Sequence, residues 1–235
     1  MKKLIYSVVA LTSITLLSGC PDDDDDDVVT PAPVVAPIVT SYEVSVTNLT
    51  NAQPLSPIAL VLHSEGNLWQ VGEPASEALE LLAESGDNSE VLALSVAQVN
   101  ASGSGVIMPG GNEVIMLSGE DVSAGYLSVA TMLVNTNDAF TGLNAIDVSM
   151  LEVGESISMV AGSYDSGTEG NIETAASIPG PAGGGEGFNA ERDDVDFVAM
   201  HQGVVSADDG LSTSALTEQH RFDNPTISVT ITRTE

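Results

Sequence analysis

Near its C-terminus the chain alternates without a break: Ile227, Val229 and Ile231 are apolar, while Ser228, Thr230 and Thr232 are small and polar. A period of two puts the apolar side chains on one face of a strand and leaves the other face to water. The same period recurs at Tyr42, Val44 and Val46, interleaved with Glu43, Ser45 and Thr47. It returns at Leu127, Val129, Thr131 and Leu133, in a strand that runs on to Val134. Ile58 to Leu62 is continuously apolar, the pattern of a strand covered on both faces. Val114 to Leu117, Ile157 to Val160 and Val195 to Met200 are further strand candidates. Breaks at Pro109-Gly110-Gly111 and Gly183 to Gly185 punctuate the series. One segment is spaced as a helix: Ala75, Ala78, Leu79 and Leu82 share a face, flanked by Glu77, Glu80 and Glu84. Pro74 suits its first turn and Gly86 the position past its end. Many strands and one short helix predict an all-β fold, an antiparallel β-sandwich. Residues 176–192, dense in proline and glycine, read as a long mobile loop.

The N-terminus has a different grammar. Lys2 and Lys3 precede an apolar stretch from Leu4 to Leu17, and Leu17-Ser18-Gly19 lead into the sole cysteine, Cys20. Charge, apolar core and small-residue site in that order predict an export leader over residues 1–19. The stretch is also shorter than the roughly 20 apolar residues a spanning helix needs. One cysteine excludes an internal disulfide and a CxxC-type site. Residues 20–40 read as a tether: Asp22 to Asp27 repel one another, and Pro31, Pro33 and Pro37 stiffen the remainder. The domain proper is expected at 41–235.

Asp and Glu number 34 against 5 Lys and Arg, a net charge of −29. Once Lys2 and Lys3 leave with the leader, Arg192, Arg221 and Arg233 are the remaining bases. Such a surface repels phosphate backbones, so nucleic acid is excluded as a partner. It attracts cations, divalent ones above all. An acidic surface adapted to salty surroundings would look the same. No HExxH helix, GxSxG elbow, phosphate loop or dinucleotide fingerprint occurs, so no catalysis is expected.

The Leu-Ser-Gly-Cys sequence ending at Cys20 resembles the lipobox of bacterial lipoproteins, which implies acylation of Cys20 and a lipid-anchored place in the cell envelope, at the outer membrane. Residues 41–235 in turn resemble the spondin N-terminal domain of F-spondin, mindin and many bacterial lipoproteins. The matching stretches, in order, are Tyr42 to Thr50, Leu55-Ser56-Pro57 leading to His63, Leu68-Trp69 and Leu82 to Asp87. Asp138 to Gly142, Tyr164 to Glu169 and Asn224-Pro225 complete the series. The resemblance implies a C2-like sandwich with a calcium ion held by loops at one end. It also implies a binding or adhesion role toward an extracellular or envelope ligand, the alternative being a structural lipoprotein with no specific ion site.

By the same resemblance the calcium ligands are Asp138, Asp165 and Glu169, with Asn144, Asp147 and Asn171 as candidates to stand behind them. Calcium takes six to eight oxygens from flexible loops, which acidic turns can offer. An EF-hand over Asp165 to Ala176 fails, because position twelve is alanine rather than a bidentate acid. His63 and His201 end apolar runs and read as structural residues, unless they meet at one end of the sandwich. His220 precedes Arg221. Trp69, the sole tryptophan, is expected in the core.

Overall fold

The computed structural model describes residues 36–123 and 125–235; the expected leader, Cys20 and the aspartate run lie outside the described residues. In chain order the strands are β1 (Val39–Asn48), β2 (Ala59–His63), β3 (Ala97–Ser102), β4 (Asn112–Glu120) and β5 (Tyr126–Met132). They continue with β6 (Ala139–Asp147), β7 (Ser156–Ala161), β8 (Ser163–Asp165), β9 (Ala199–Met200) and β10 (Ile227–Arg233). Two antiparallel sheets result, one ordered β4-β1-β10-β7 and the other β3-β2-β5-β6-β8-β9. The fold is an all-β sandwich. β1 starts at Val39, so the last residues assigned to the tether already belong to the sheet.

The alternation becomes the core. Val44 and Val46 of β1 and Val229 and Ile231 of β10 meet Leu60, Leu62, Leu127 and Val129 of the larger sheet. β2 is buried along its whole length because its second face is covered too. Ala59 and Val61 on that face pack with Trp69, Leu79, Leu82 and Phe140. The cover comes from α1 (Glu77–Ser85) and the short α2 (Ser89–Leu92), so the described residues hold two α-helices where one was expected. Phe140 of β6 centres this layer, edge-on to Trp69 at 5.1 Å and stacked on Tyr164 at 5.3 Å. Among the described residues no helix is long and apolar enough to cross a membrane.

α1 begins at an N-cap, Ser76, whose Oγ accepts from the Leu79 N–H at 3.2 Å. Pro74 therefore precedes the helix rather than opening it. Gly86 closes the helix at φ 72, a left-handed conformation that costs glycine little. Ser76→Ala is expected to cost about 1 kcal/mol in urea unfolding, with the slope of the transition unchanged.

Two further features depart from the sequence reading. Glu80 and Glu84, expected on the exposed flanks of the helix, are buried. The loop over residues 176–192 lies over them and is hydrogen-bonded to the helix segment. The Asn189 N–H donates to Glu84 Oε2 at 2.8 Å, and Arg192 donates to Glu80 and, at 3.0 Å, to the Ala75 carbonyl. Within the loop, the Glu186 N–H reaches the Ala176 carbonyl at 2.8 Å. The second departure is at Val195 to Met200, where only Ala199–Met200 pairs as strand. Asp196 there adopts φ 57 and its N–H bonds the Gly167 carbonyl, which takes the chain out of extended geometry.

Candidate functional site

β6 starts from a tight turn. Thr136 Oγ1 donates to the Leu133 carbonyl at 2.6 Å and accepts from the Ala139 N–H at 3.1 Å. That turn holds Asn137 and Asp138, both fully buried, at the end of the larger sheet. Pairing of β6 with β8 sets Ala139 opposite Asp165, which brings the loop after β8 against Asp138. Asp138 Oδ2 accepts from Ser166 Oγ at 2.7 Å, the Thr168 N–H at 3.0 Å and the Glu169 N–H at 3.2 Å. Gly167, at φ 72 and packed on the Phe197 backbone, lets this loop turn back.

Among the described residues, Asp138 Oδ1 has no donor. Neither has Glu169 Oε2, Asn137 Oδ1 or Glu84 Oε1, and all four atoms are buried. Buried acceptors left without partners are costly, more so when charged. Burial and the Asp165 carboxylate push Asp138 up to about 7. Burial, with Glu84 next and Asp138 and Glu186 beyond it, pushes Glu169 up to about 7. Burial raises Glu84 as well. None of the three arginines relieves the cluster by pairing. Arg192 pairs with Glu80 and Asp196, Arg221 with Asp209, and Arg233 donates to the Leu151 carbonyl.

Such a site can be neutralised in two ways, by protons or by a cation. Its free acceptors are oxygens only, which suits hard ions and not zinc or copper. Among the described residues, no three histidine, cysteine, aspartate or glutamate side chains stand close enough to hold one metal ion. An ion here would rest on Asp138 and Glu169, with the Asn137 amide oxygen as a further acceptor.

The residues named from the sequence fall into three groups. Asp138 and Glu169 adjoin. Asp165 sits beside them, but both its oxygens are engaged in its own loop, accepting from the Gly167 N–H at 2.8 Å and Asn171 Nδ2 at 2.6 Å. Asn171 thus supports Asp165 as a donor. Asn144 and Asp147 belong elsewhere. They lie six and nine residues further along β6 from Asp138, about 20 and 30 Å at strand rise. Asn144 instead clamps the Leu68-Trp69 backbone, and Asp147 caps an exposed turn through Ser149. Glu84 and Asn137 were missed as site residues. Nothing in the helical spacing of α1 marks Glu84 as buried.

The histidines do not meet. His63 on β2 and His201 just after β9 are separated by four strand spacings, about 19 Å. His63 is satisfied at both nitrogens, by the Glu65 carbonyl and Ser128 Oγ, each at 2.9 Å. His220 closes a 3-10 turn with Thr217. Trp69 is in the core.

No protein-family model and no curated protein matches this chain.

Proposed function

We propose that this protein is a lipid-anchored binding module of the bacterial envelope, held by acylated Cys20 and stabilised at its loop end by a calcium ion. Kinship with the spondin N-terminal domain and a C2-like topology belong to the same reading. The observation that carries it is the set of four buried, donor-less oxygens on Asn137, Asp138, Glu169 and Glu84. They come from β6's entry turn, the loop after β8 and α1; a cation on Asp138 and Glu169 would cross-link the first two, with the Glu84 charge nearby. The module binds and does not catalyse; its ligand engages a surface that the ion keeps rigid.

An ion bound by the folded state alone raises stability by mass action, about 2.7 kcal/mol at a hundredfold excess over Kd. For a domain of this size that corresponds to a Tm rise of roughly 5–10 °C. Calcium is expected to produce it in the purified full chain, and magnesium at equal ionic strength is expected to produce much less. Asp138→Asn and Glu169→Gln should each abolish the calcium-specific rise. Equal responses to both ions would instead favour an acidic surface suited to salt, with no specific site.

A further inference from the structure

A cavity of about 380 Å3 shares Asp165 with the neighbourhood of the oxygen cluster. That is large enough for a small organic molecule. One wall is the loop after β8, with Asp165, Asn171 and Glu173; the other is the chain from Asp194 through β9 to Val205. Three carboxylates and one imidazole line it, with Val195, Phe197, Met200 and Val205 as apolar contacts and, among the described residues, no lysine or arginine.

Two buried polar atoms there have no partner among the described residues. Glu173 is 1% exposed; its Oε1 accepts from the Val205 N–H at 3.3 Å, but Oε2 meets no donor. Its backbone is at φ 57, a left-handed conformation unfavourable for glutamate and of the kind that gathers at ligand clamps. The Ala215 N–H holds it there through the Glu173 carbonyl. His201 is 6% exposed, and its Nδ1 accepts from the Gly203 N–H at 3.0 Å. The ring proton therefore sits on Nε2, and this N–H meets no acceptor. The imidazole thus presents a donor rather than a lone pair, which is wrong for a metal. It is right for a ligand oxygen.

We propose that this cavity binds a small primary ammonium compound carrying an oxygen acceptor on a neighbouring carbon, as in an amino alcohol or an amino sugar. The ammonium donates to Glu173 Oε2 and is attracted by Asp165 and Asp194, while the ligand oxygen accepts from His201 Nε2–H. Phe197, Met200 and Val205 cover the carbon skeleton. This deepens the reading of the protein as a binding module, on which it rests, by giving the class of its ligand.

The test is a calorimetric titration of the detergent-solubilised full chain, held in saturating calcium, with ethanolamine and with glucosamine. Ethylamine, glucose and tetramethylammonium serve as comparisons. Ethanolamine is expected to bind with a Kd of about 0.1–1 mM. Ethylamine should bind several-fold more weakly, and glucose and tetramethylammonium should give no heat. Glu173→Gln should weaken ethanolamine at least tenfold, and Asp194→Asn, at a half-buried position, several-fold. His201→Phe should erase the preference for ethanolamine over ethylamine while leaving ethylamine binding in place, an outcome that a merely structural histidine would not produce. No heat from either amine, or unchanged binding in both carboxylate variants, would overturn the proposal. Because calcium response is read separately from Tm, loss of amine binding with that response intact refutes this inference alone. Amine binding without a calcium response refutes only the ion site.

Discussion

Gly142→Ala is expected to prevent folding or to cost at least about 4 kcal/mol, the range reserved for backbone-level clashes. Gly142 lies in the middle of β6, paired with Ala130 of β5. A Cβ there would stand 1.9 Å from the Val129 carbonyl oxygen and 2.9 Å from its carbon. The obstacle is main chain, so no rotamer change relieves it, and the β5–β6 ladder must part at its centre. Asp138 enters the site from the start of β6, so the ion response should vanish with the fold. Soluble yield and far-ultraviolet circular dichroism of the variant decide the matter; native-like melting would show that the two strands approach less closely than the 1.9 Å contact implies.

Stripped of divalent ions by EDTA, the protein is expected to lose stability as pH rises from about 4 to 7. Asp138, Glu169 and Glu173 are each pushed up to about 7, mainly by burial. The fields they share reinforce this: Asp165 acts on Asp138, Glu84 and Asp138 act on Glu169, and Asp138 and Asp165 act on Glu173. In the unfolded chain these acids ionise near 4, so between about 4 and 7 the folded state holds more protons than the unfolded one. Stability then falls with rising pH through this window and levels off above it. Each tenfold difference in proton affinity between the two states is worth about 1.4 kcal/mol, but the groups share one field and their effects do not add. A net loss of a few kcal/mol, roughly 5–10 °C in Tm, is expected. Calcium competes with the same protons, so its gain in Tm should be larger at pH 8 than at pH 5. A Tm that climbs with pH in EDTA would contradict this account.

The strands that alternate were legible, because a period of two leaves its mark wherever one face is dry and the other wet. β1, β10 and β4 follow it, and β2 follows the rule for strands covered twice. β3 (AQVNAS) and β8 (SYD) carry too few apolar residues to announce themselves, and their pairing partners place them. β6 was hidden for another reason. Its first half is buried on both faces with Thr141 inside, bonded to the Gly162 carbonyl and Thr226, so its polarity misleads. At the site, acid-rich turns pointed to Asp138, Asp165 and Glu169. That both Asp165 oxygens are taken up within its own loop was not visible, since it depends on which loop amides reach which carboxylate.

By itself the sequence determined the class of fold and the sign of the field: alternation demands sheets with one dry face, and 34 acids against 5 bases demand a cation-seeking surface. Tertiary structure alone decided which carboxylates matter. Glu84 looks like any solvated helix glutamate until residues 176–192 fold over it, and Glu173 and His201 look like ordinary loop residues until a cavity closes around them. The reason is desolvation. A carboxylate's chemistry is set by how much water and how many donors surround it, and those are supplied by segments far away along the chain.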